Sequence, residues 1–500
     1  MIRFLTFIAA VTALFLVLPR EFYGSFGLGL DSSWQISLDL ALQEGLIFGR
    51  DYVFTYGPLG NLATRLPFEA TKIKLIALDL FMYGNLIFLL AVVVRTSKNF
   101  LVPFIVVLIF YLLSTAMFYL DLSIVLLLIT FFYLLQYEKA KRDVYLLLAL
   151  FSGVLAFYVK LNTGLIAFVL LFLFLGSVKW RERDIKGFFI SALSVISVLI
   201  ASTFVLPVDF IDYLVTSLHI ANGYNDAMYL SQPDKEHHLF WAIGILGLYG
   251  FFAMSAIVRT GLSSLPQVIG VSSILFILFK QGFVRADEHI FVFFEYVPAL
   301  FGIWLIFCDR RLKASLTFLV VSSLFISYGA KSLRFTPIIF DQKIAGIEKY
   351  FIQLVEGETV GERPLNIPNQ ALLPPTFISE IGKADVDIIP QDISFIYYNE
   401  LNYNPRPVIQ SYCAYDSYLD QLGADKYLSA SAPDYLIYGY SCIDDRYCFF
   451  DETKTKLAIL SGYEVVLREG DKLLLKRRAS KREFERSVLL SESGRLGQKN

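Results

Sequence analysis

The stretch of sequence that most strongly determines the fold is residues 144–178, which read VYLLLALFSGVLAFYVKLNTGLIAFVLLFLFLGSV. Two apolar runs, 144–160 and 163–178, meet at the polar sequence Lys160-Leu161-Asn162-Thr163-Gly164. A helix needs roughly 20 mostly apolar residues to cross a bilayer core, and fewer where flanking polar residues reach the surface. The stretch therefore predicts two membrane-crossing helices joined by a short turn.

The same pattern recurs along the first two thirds of the chain. It predicts nine further spans, and so about eleven in all, at residues 4–19, 73–94, 100–117, 120–137, 187–206, 239–258, 264–281, 289–307 and 314–331. No small-residue cleavage site follows the first apolar run in the sequence. We therefore expect that run to be an anchor and not a cleaved signal peptide.

The composition agrees with a membrane protein and excludes several other classes. Of the 500 residues, 56% are hydrophobic and 18% are charged, with a mean hydropathy of +0.57, whereas a soluble domain is about 45–50% apolar and about 25% charged. The net charge of -1 lacks the basic excess of nucleic-acid-binding proteins, so we expect no nucleic-acid partner. The sequence has no Gly-Lys-Ser/Thr phosphate loop, which argues against ATP hydrolysis.

Basic residues predict the orientation of the spans. Lys and Arg concentrate in alternate connections, such as Lys139–Arg142, Lys179–Lys186 and Arg310–Lys313. Loops rich in Lys and Arg face the cytoplasm. We therefore predict a cytoplasmic N-terminus and an extracytoplasmic C-terminal part.

After residue 331 the hydropathy falls and the pattern changes to alternating strands and helices. We predict a transmembrane domain over 1–331 with a long outer loop at 20–72, a connector at 332–359, an extracytoplasmic α/β domain at 360–476 and a polar tail at 477–500. The expected strands are Val386–Ile389, Pro407–Gln410, Tyr435–Tyr438, Glu464–Arg468 and Lys472–Lys476. The second and third of these are apolar on both faces and are predicted to be central.

The long outer loop begins its polar part with Asp31-Ser32-Ser33-Trp34. Apolar residues at helical spacing follow over Gln35–Leu46, which predicts a helix lying along the membrane surface. Asp31 is then the expected N-cap of that helix. The same carboxylate is also a candidate site residue, because it lies at an outer membrane boundary.

Glycine and proline punctuate the next segment, Phe48–Gly60, and predict a loop of fixed shape. Arg50 and Asp51 could simply form a surface ion pair, which contributes little to stability. A shaped loop that carries an acid, a base and Tyr56 beside the bilayer nevertheless resembles a binding site.

Three further outer segments carry polar side chains at the mouths of apolar helices. The candidate site residues there are Lys160, Asn162, Asp226, Lys280, Arg285, Asp287 and His289. Polar groups in such positions need water, partners or an anionic ligand, and Lys or Arg suits a phosphate. The adjacent pair His237 and His238 is predicted to anchor the chain at the interface, because neighbouring helical residues point about 100° apart.

Four cysteines are too few for a disulfide-stabilised scaffold. Cys413, Cys442 and Cys448 fall in the predicted outer domain, which permits one disulfide and one free thiol. The short spacing from Cys442 to Cys448 could close a loop, but the sequence leaves the pairing open.

The segment from Asp31 to Leu59 resembles the first outer loop of polytopic glycosyltransferases with the GT-C fold. In many of these enzymes an Asp, often followed by Glu, ends the first span, and a surface helix and a Tyr-Pro-Pro-Leu-like element follow. Asp31 occupies the first position and Tyr56-Gly57-Pro58-Leu59 the second. The chain departs from the pattern at Ser32 and Gly57, so Asp51 is the expected source of a second carboxylate.

The resemblance implies an all-α polytopic GT-C-like membrane domain with a C-terminal extracytoplasmic α/β domain, in a bacterial inner membrane. It further implies transfer of a sugar, with inversion, from a polyprenyl-phosphate-linked donor in the lipid bilayer to an extracytoplasmic glycan, lipid or protein acceptor. Asp31 would be the general base. The donor phosphate is expected to bind Arg285, Lys160 and Lys280, and the expected site-lining residues are Tyr56, Asn162, Asp226, Asp287 and His289. A divalent cation is a candidate cofactor without assigned ligands.

Three other functions fit the same sequence pattern. A transporter or flippase for a lipid-linked glycan would carry polar residues throughout its spans and an internal repeat. An outer-face glycan polymerase or ligase would use loop Arg and His residues such as Arg285 and His289. A non-enzymatic assembly protein would tolerate replacement of Asp31.

Overall fold

The computed structural model describes residues 2–17, 21–96, 101–114, 121–230, 232, 235–332, 340–356, 369–444 and 446–484. Predictions that fall on residues 1, 18–20, 97–100, 115–120, 333–339, 357–368 and 485–500 lie outside the described residues. The chain is mostly helical and divides into two compact units, Met1–Pro368 and Asn369–Asn500.

The first unit is built from helices. In the described residues these are α1 (Ile2–Val17), α2 (Gly29–Gln43), α3 (Asn61–Thr64), α4 (Lys72–Thr96), α5 (Leu101–Ser114), α6 (Leu122–Ala140), α7 (Asp143–Val159), α8 (Leu161–Glu182), α9 (Ile185–Ser202), α10 (Phe210–Met228), α11 (Glu236–Thr260), α12 (Leu265–Phe283), α13 (Ile290–Phe307), α14 (Lys313–Gly329) and α15 (Phe340–Glu356).

Six helical segments among the described residues are long and apolar enough to cross a membrane. They are Glu69–Thr96, Leu122–Ala140, Leu161–Glu182, Ile185–Ser202, Glu236–Phe283 and Ile290–Phe307. The fifth contains both α11 and α12, which a turn at Gly261–Ser264 connects. Asp143–Val159 and Lys313–Gly329 are apolar but shorter. These helices are compatible with a membrane protein, whereas the predicted number of eleven crossings is not established by them.

Two of these helices occupy opposite environments. In α13, 89% of the apolar window is buried inside the protein, against 6% in α9. An apolar helix that is buried on every side belongs to the centre of a helical bundle. The surface of α9, with Phe189, Leu193 and Ile196 exposed, is instead suited to hydrocarbon.

Two helices of this unit differ from the sequence prediction. Residues 210–228 were expected in a loop and form α10, which Asp209 caps by accepting hydrogen bonds from the backbone of Ile211 and Asp212. The predicted connector contains α15. Both sequences have helical periodicity but contain many polar residues. A search for continuous apolar runs therefore does not detect these helices.

Helix α15 packs on the first loop of the chain and on α4. The Gln353 side chain accepts hydrogen bonds from the backbone amides of Phe22 and Tyr23 at 2.8 and 3.2 Å. The Tyr350 hydroxyl donates to Asp79 at 2.7 Å. Asp79 also accepts a bidentate pair of bonds from Arg65, at 2.8 and 2.7 Å. The ionised residue that interrupts the apolar pattern of α4 is therefore fully paired.

The second unit contains a five-stranded sheet with the order β2-β1-β3-β5-β4. The strands are β1 (Asp385–Ile389), β2 (Asn402–Tyr403), β3 (Tyr435–Tyr438), β4 (Tyr463–Glu469) and β5 (Lys472–Arg477). The helices of this unit are α16 (Pro375–Ile381), α17 (Ser394–Tyr398), α18 (Ser417–Leu428) and α19 (Thr453–Gly462). Strands β2, β1 and β3 are parallel, whereas β5 is antiparallel to both β3 and β4.

The structure confirms β3 as the central strand and corrects the strand predicted at Pro407–Gln410. That segment is not part of the sheet, and the short strand β2 at Asn402–Tyr403 pairs with β1 in its place. The reason is that this segment is buried outside the sheet. Val408 and Ile409 are core side chains, and Arg406 and Ser411 on either side belong to a polar network, so the apolar pattern reflects burial and not sheet pairing.

This network is centred on Arg406, which is 1% exposed. Its guanidinium donates to Glu452 at 3.2 Å, to the Ser411 hydroxyl at 3.0 Å and to the Pro390 carbonyl at 2.8 Å. Asp387 accepts from the backbone amide of Arg406 at 2.9 Å. Every charge in this cluster therefore has an opposite charge and several hydrogen bonds, as buried ions require.

The three cysteines of the second unit form one disulfide and leave one free thiol, as the sequence permitted. Cys442 and Cys448 form a disulfide, whereas Cys413 and Cys308 are buried free thiols. Burial raises the pKa of the Cys413 thiol to about 12, which keeps it protonated and unreactive at neutral pH.

Candidate functional site

The loop that carries Tyr56 lies along the junction of α7 and α8. The backbone amide of Gly57 donates to the Val159 carbonyl at 3.1 Å, and that of Leu59 donates to Tyr158 at 2.9 Å. A Cβ atom on Gly57 would collide with the Tyr158 carbonyl oxygen and with the Tyr213 hydroxyl. Glycine therefore fits at position 57, where a residue with a Cβ atom would clash.

Lys160 lies between α7 and α8, directly beside this loop. It pairs with Tyr56 in an isolated β-bridge, and its ammonium lies 5.2 Å from the centre of the Tyr56 ring. An ammonium over an aromatic face is attracted by the ring electrons. The loop therefore fixes both the backbone and the charged end of Lys160.

Asp121, the N-cap of α6, faces the same place and was not predicted as a site residue. One carboxylate oxygen accepts from the amide and the hydroxyl of Ser123 at 2.9 and 2.7 Å, and the other accepts from Gln281 at 2.7 Å. Burial alone would raise the pKa of Asp121, but the Lys160 charge and these hydrogen bonds lower it below the ordinary value. Asp121 is therefore an anion that holds Lys160 and Gln281 near one another.

Tyr56 is the neutral partner in this group. Burial raises the pKa of its phenol, and the charges of Asp121 and Asp31 raise it further. The hydroxyl therefore keeps its proton across the physiological range and can act as a hydrogen-bond donor.

Asp31 lies on the first turn of α2 and not at its N-cap, which is Leu28. The helix begins earlier than predicted because Gly29 and Leu30 join its first turn. The exposed Asp31 carboxylate accepts a hydrogen bond from the Trp34 indole at 3.0 Å. The Trp34 ring stacks on Tyr56 with a centroid distance of 4.8 Å and an interplanar angle of 8°.

A cavity of about 500 Å³ opens between the last turns of α10 and α12. It is lined by Asn225, Asp226, Tyr229, Phe279, Lys280, Phe283 and Val284. One carboxylate, one ammonium and one carboxamide thus face a wall of aromatic and aliphatic side chains. Such a mixture of an apolar wall with few polar groups is typical of small-molecule sites.

The cavity is connected to the Tyr56 loop through residues that are adjacent in sequence to the cavity residues. Gln281, which binds Asp121, follows the cavity residue Lys280 in α12. Tyr224, whose phenol lies near that of Tyr56, precedes the cavity residue Asn225 in α10. We call the residues Asp31, Trp34, Tyr56, Asp121, Lys160 and Gln281, together with this cavity, the candidate site.

Asp51 lies on a different part of the loop. Its carboxylate accepts two hydrogen bonds of 3.1 Å from Arg50, in an exposed pair. The backbone of this segment packs on the start of α10, where Phe48 donates to Pro207 at 2.9 Å. Among the described contacts, none joins Asp51 to Asp31. The alternative that Asp51 simply forms a surface ion pair with Arg50 agrees with these contacts.

The predicted residues between α12 and α13 form a cluster of their own. Asp287 accepts from the Arg285 guanidinium at 2.6 Å and from the ring and backbone of His289. Burial alone would raise the pKa of Asp287, but the hydrogen bonds from His289 and the charge of Arg285 lower it. Arg285 thus already has an anionic partner.

Asn162 follows Lys160 on the first turn of α8, half-buried, with its side chain oxygen bound to the amide of Thr163 at 2.8 Å. His238 contacts the backbone carbonyls of Lys235 and Ala330 through its two ring nitrogens, at 3.2 and 3.1 Å. Both side chains are engaged with the backbone.

Sequence reasoning also missed Asp39, a carboxyl group buried under the loop. Asn61 and Thr71 donate to one of its oxygens at 2.8 and 3.0 Å. The other oxygen and the side-chain amide oxygen of Asn61 have no hydrogen-bond partner among the residues that the structure describes. Burial raises the pKa of Asp39 to about 7, against the hydrogen bonds and the Lys74 charge that lower it.

The carboxylates do not fit a divalent cation. Among the described residues, no group of three His, Cys, Asp or Glu side chains is placed to hold a metal ion. Asp31 is bound to an indole and Asp51 to a guanidinium, and they do not converge. Positive charge at the candidate site comes from Lys160 and Lys280.

The candidate site thus unites predicted residues from four separate segments with the unpredicted Asp121 and Gln281. The predicted residues are Asp31 and Tyr56 in the first outer loop, Lys160 between α7 and α8, Asp226 in α10 and Lys280 in α12. The signal for Asp121 in the sequence is an acid directly before an apolar run, which is typical of an N-cap and so does not by itself indicate a site. This chain matches no protein-family model, no curated protein and no solved structure.

Proposed function

We propose that the chain is a membrane glycosyltransferase of the GT-C type. It transfers a sugar from a polyprenyl-phosphate-linked donor to an extracytoplasmic acceptor, with inversion at the anomeric carbon. The observation that carries the proposal is that Asp121 links two cationic groups. The charge of Lys160, which lies over Tyr56, acts on the Asp121 carboxylate, and Gln281, which donates to that carboxylate, is the neighbour of Lys280 in a partly apolar cavity that also contains Asp226.

The two lysines are suited to the phosphate of the donor. A lipid phosphate leaves with its negative charge, so cations held beside it stabilise the developing anion. Asp121 and the Tyr56 ring hold Lys160 in place before the ligand arrives, which lowers the ordering cost of binding. Phe279, Phe283 and Val284 offer apolar surface to the first isoprene units.

We assign proton acceptance to Asp31. The acceptor hydroxyl attacks the anomeric carbon, the bond from that carbon to the phosphate oxygen breaks, and the hydroxyl proton moves to the carboxylate. Asp31 is exposed to water-borne acceptors and is oriented by Trp34. Asp226, in the wall of the cavity, is the carboxylate against which this assignment is tested.

The transfer assay uses the full chain in nanodiscs with a panel of polyprenyl-phosphate sugars and a membrane extract as the source of acceptors. Release of polyprenyl phosphate is measured for the wild type, Asp31→Asn and Asp226→Asn. Loss of a general base lowers a rate by about 10²–10⁴-fold, and we expect this loss for Asp31→Asn. A larger loss of rate for Asp226→Asn would instead identify Asp226, in the cavity wall, as the general base.

A transporter of lipid-linked glycans gives a different result in the same preparation. It would move a fluorescent donor across a vesicle membrane and release no polyprenyl phosphate. Movement without transfer, unchanged by Asp31→Asn, would contradict the transferase.

The orientation belongs to the same proposal. We propose eleven crossings, with the N-terminus in the cytoplasm and residues after 331 outside, because Lys and Arg alternate between connections. Compartment reporters fused after Arg142 and after Lys343 should report opposite sides. The same side for both would contradict this topology.

A further inference from the structure

A short loop in the second unit exposes four aromatic rings. We call residues 440–450 the aromatic loop. The exposed fractions are 62% for Tyr440, 72% for Tyr447, 57% for Phe449 and 68% for Phe450. The last three rings contact one another, with centroid distances of 5.4 to 6.5 Å. Contiguous exposed apolar surface of this kind marks an interaction site.

The loop is held in shape before any partner arrives. The disulfide between Cys442 and Cys448 closes it. The Lys456 ammonium donates to the backbone carbonyls of Cys448, Phe449 and Asp451 at 2.8, 3.1 and 2.7 Å. Because the backbone under the rings is fixed, binding through them requires little additional ordering.

Two charged side chains of the loop, Arg446 and Asp444, are less exposed than its aromatic rings. Arg446 and Asp444 form an ion pair of 3.7 Å, and the Asp444 side chain is only 12% exposed. The Lys456 ammonium is occupied by the carbonyls. Among the described residues of the loop, the rings are thus more exposed than the charges, an arrangement that suits the boundary between lipid headgroups and acyl chains.

The rest of the chain indicates a lipid bilayer as the partner of this loop. Six helical segments among the described residues of the first unit are long and apolar enough to cross a membrane. Because the aromatic loop belongs to the same chain as these helices, a bilayer is the apolar surface that the protein itself provides for.

We propose that the aromatic loop inserts Tyr440, Tyr447, Phe449 and Phe450 into the interfacial region of the lipid bilayer and so holds the second unit at the membrane surface. This interaction does not depend on the proposed transferase activity. The disulfide agrees with an oxidising, extracytoplasmic compartment, where such bonds persist.

The test places an environment-sensitive fluorescent amino acid, dansylalanine, at position 449 of the full chain by codon suppression, which adds no thiol near the disulfide. The protein is reconstituted in nanodiscs with or without lipids brominated on their acyl chains. The matched control carries the same fluorophore in place of the exposed Arg468 on β4. We expect blue-shifted emission and bromine quenching at position 449, and neither effect at position 468.

Equal emission and equal quenching at the two positions would overturn the proposal. An unquenched probe at 449 whose emission responds to a soluble oligosaccharide would also overturn it, because the loop would then be a sugar-binding surface. An unquenched probe whose emission responds to a second copy of the chain would do the same. Mass spectrometry under non-reducing conditions checks the Cys442–Cys448 bond in each variant. A second variant, Phe450→Ser with the probe at 449, should lose quenching while keeping that bond.

Discussion

Two polar networks, one in each unit, are built in opposite ways. In the second unit, Arg406 is paired with two carboxylates and with backbone carbonyls, and the pocket lined by its partner Ser411 holds only about 10 Å³. In the first unit, Lys160 lies over an aromatic face and its charge acts on Asp121, whose partner Gln281 adjoins Lys280 in a cavity of about 500 Å³. Asp39, beneath the same loop, keeps an oxygen without a partner among the described residues.

The difference separates polar groups that maintain a fold from polar groups prepared for a ligand. A buried ion whose bonding capacity is complete has nothing left to offer a second molecule. A cation beside a cavity, held by groups that leave one face open, can bind an anion with little rearrangement. The two networks therefore predict different responses to substitution.

The largest effect is expected in the second unit. Arg406→Met would leave Asp387 and Glu452 buried without a positive partner, and such losses cost about 3–5 kcal/mol in the free energy of unfolding. Hydrogen exchange of peptides from residues 385–477, in the full chain, measures the change. The control is Lys476→Ala, which breaks the exposed pair with Glu380 and should cost less than about 1 kcal/mol. Equal effects of both substitutions would contradict the assignment of Arg406 to the fold.

A pH-dependent effect is expected at Asp39. Because the pKa of this carboxyl group is raised from 3.8 to about 7 in the folded chain, the unfolded chain loses its proton first. Stability is therefore lost as the pH rises from about 4 to about 7, by up to roughly 3 kcal/mol above pH 5, and levels off beyond the folded pKa.

Asp39→Asn keeps a side-chain oxygen that can accept hydrogen bonds from Asn61 and Thr71, and it does not ionise. We expect its melting temperature to exceed that of the wild type at pH 8 and to approach it at pH 5, measured in the same detergent so that other titrating groups cancel. A difference that is independent of pH would show that Asp39 is not protonated in the folded chain. Stabilisation of the wild type alone by a divalent cation would lead to the same conclusion.

Removing the ammonium of Lys160 should affect binding more than folding. A charge-assisted hydrogen bond contributes about 1.5–3 kcal/mol, so Lys160→Met should weaken polyprenyl phosphate binding roughly 10- to 100-fold. Lys160→Arg should recover part of the loss, and Lys186→Met, at the exposed start of α9, is the matched control. Wild-type affinity in Lys160→Met would contradict the proposal that Lys160 is prepared to bind a ligand.

The smallest effect is expected at Asp51. Its pair with Arg50 is exposed, and such pairs contribute about 0–1 kcal/mol. Asp51→Asn should therefore leave both the melting temperature and the transfer rate nearly unchanged. A loss of transfer comparable with that of Asp31→Asn would restore Asp51 to the site.

The sequence predicted what depends on local pattern. Apolar runs identified the helices on either side of Lys160, and the glycines and proline of Phe48–Gly60 identified a loop of fixed shape. It could not reveal Asp121 as part of the site, because Lys160 and Gln281, which act on that carboxylate, are more than 30 residues away in the chain. It misplaced one strand because the apolar run at Pro407–Gln410 is buried beside the sheet and not within it.

The same limit applies to Asp31. A helix start was predicted correctly to within several residues, but the N-cap depends on backbone dihedral angles that composition does not specify. The shift of the start from Gln35 to Gly29 moves Asp31 into the helix, and its partner becomes Trp34 instead of a backbone amide.

The contact between Gln353 and the amides of Phe22 and Tyr23 joins groups that are 331 and 330 residues apart. A ribosome that adds about 5–20 residues per second needs roughly 15–65 s to make the intervening chain. The first loop emerges early, but two of its buried amides find their acceptor only after α15 has been synthesised. The loop that carries the candidate site is therefore among the earliest segments to be made and among the last to be completed.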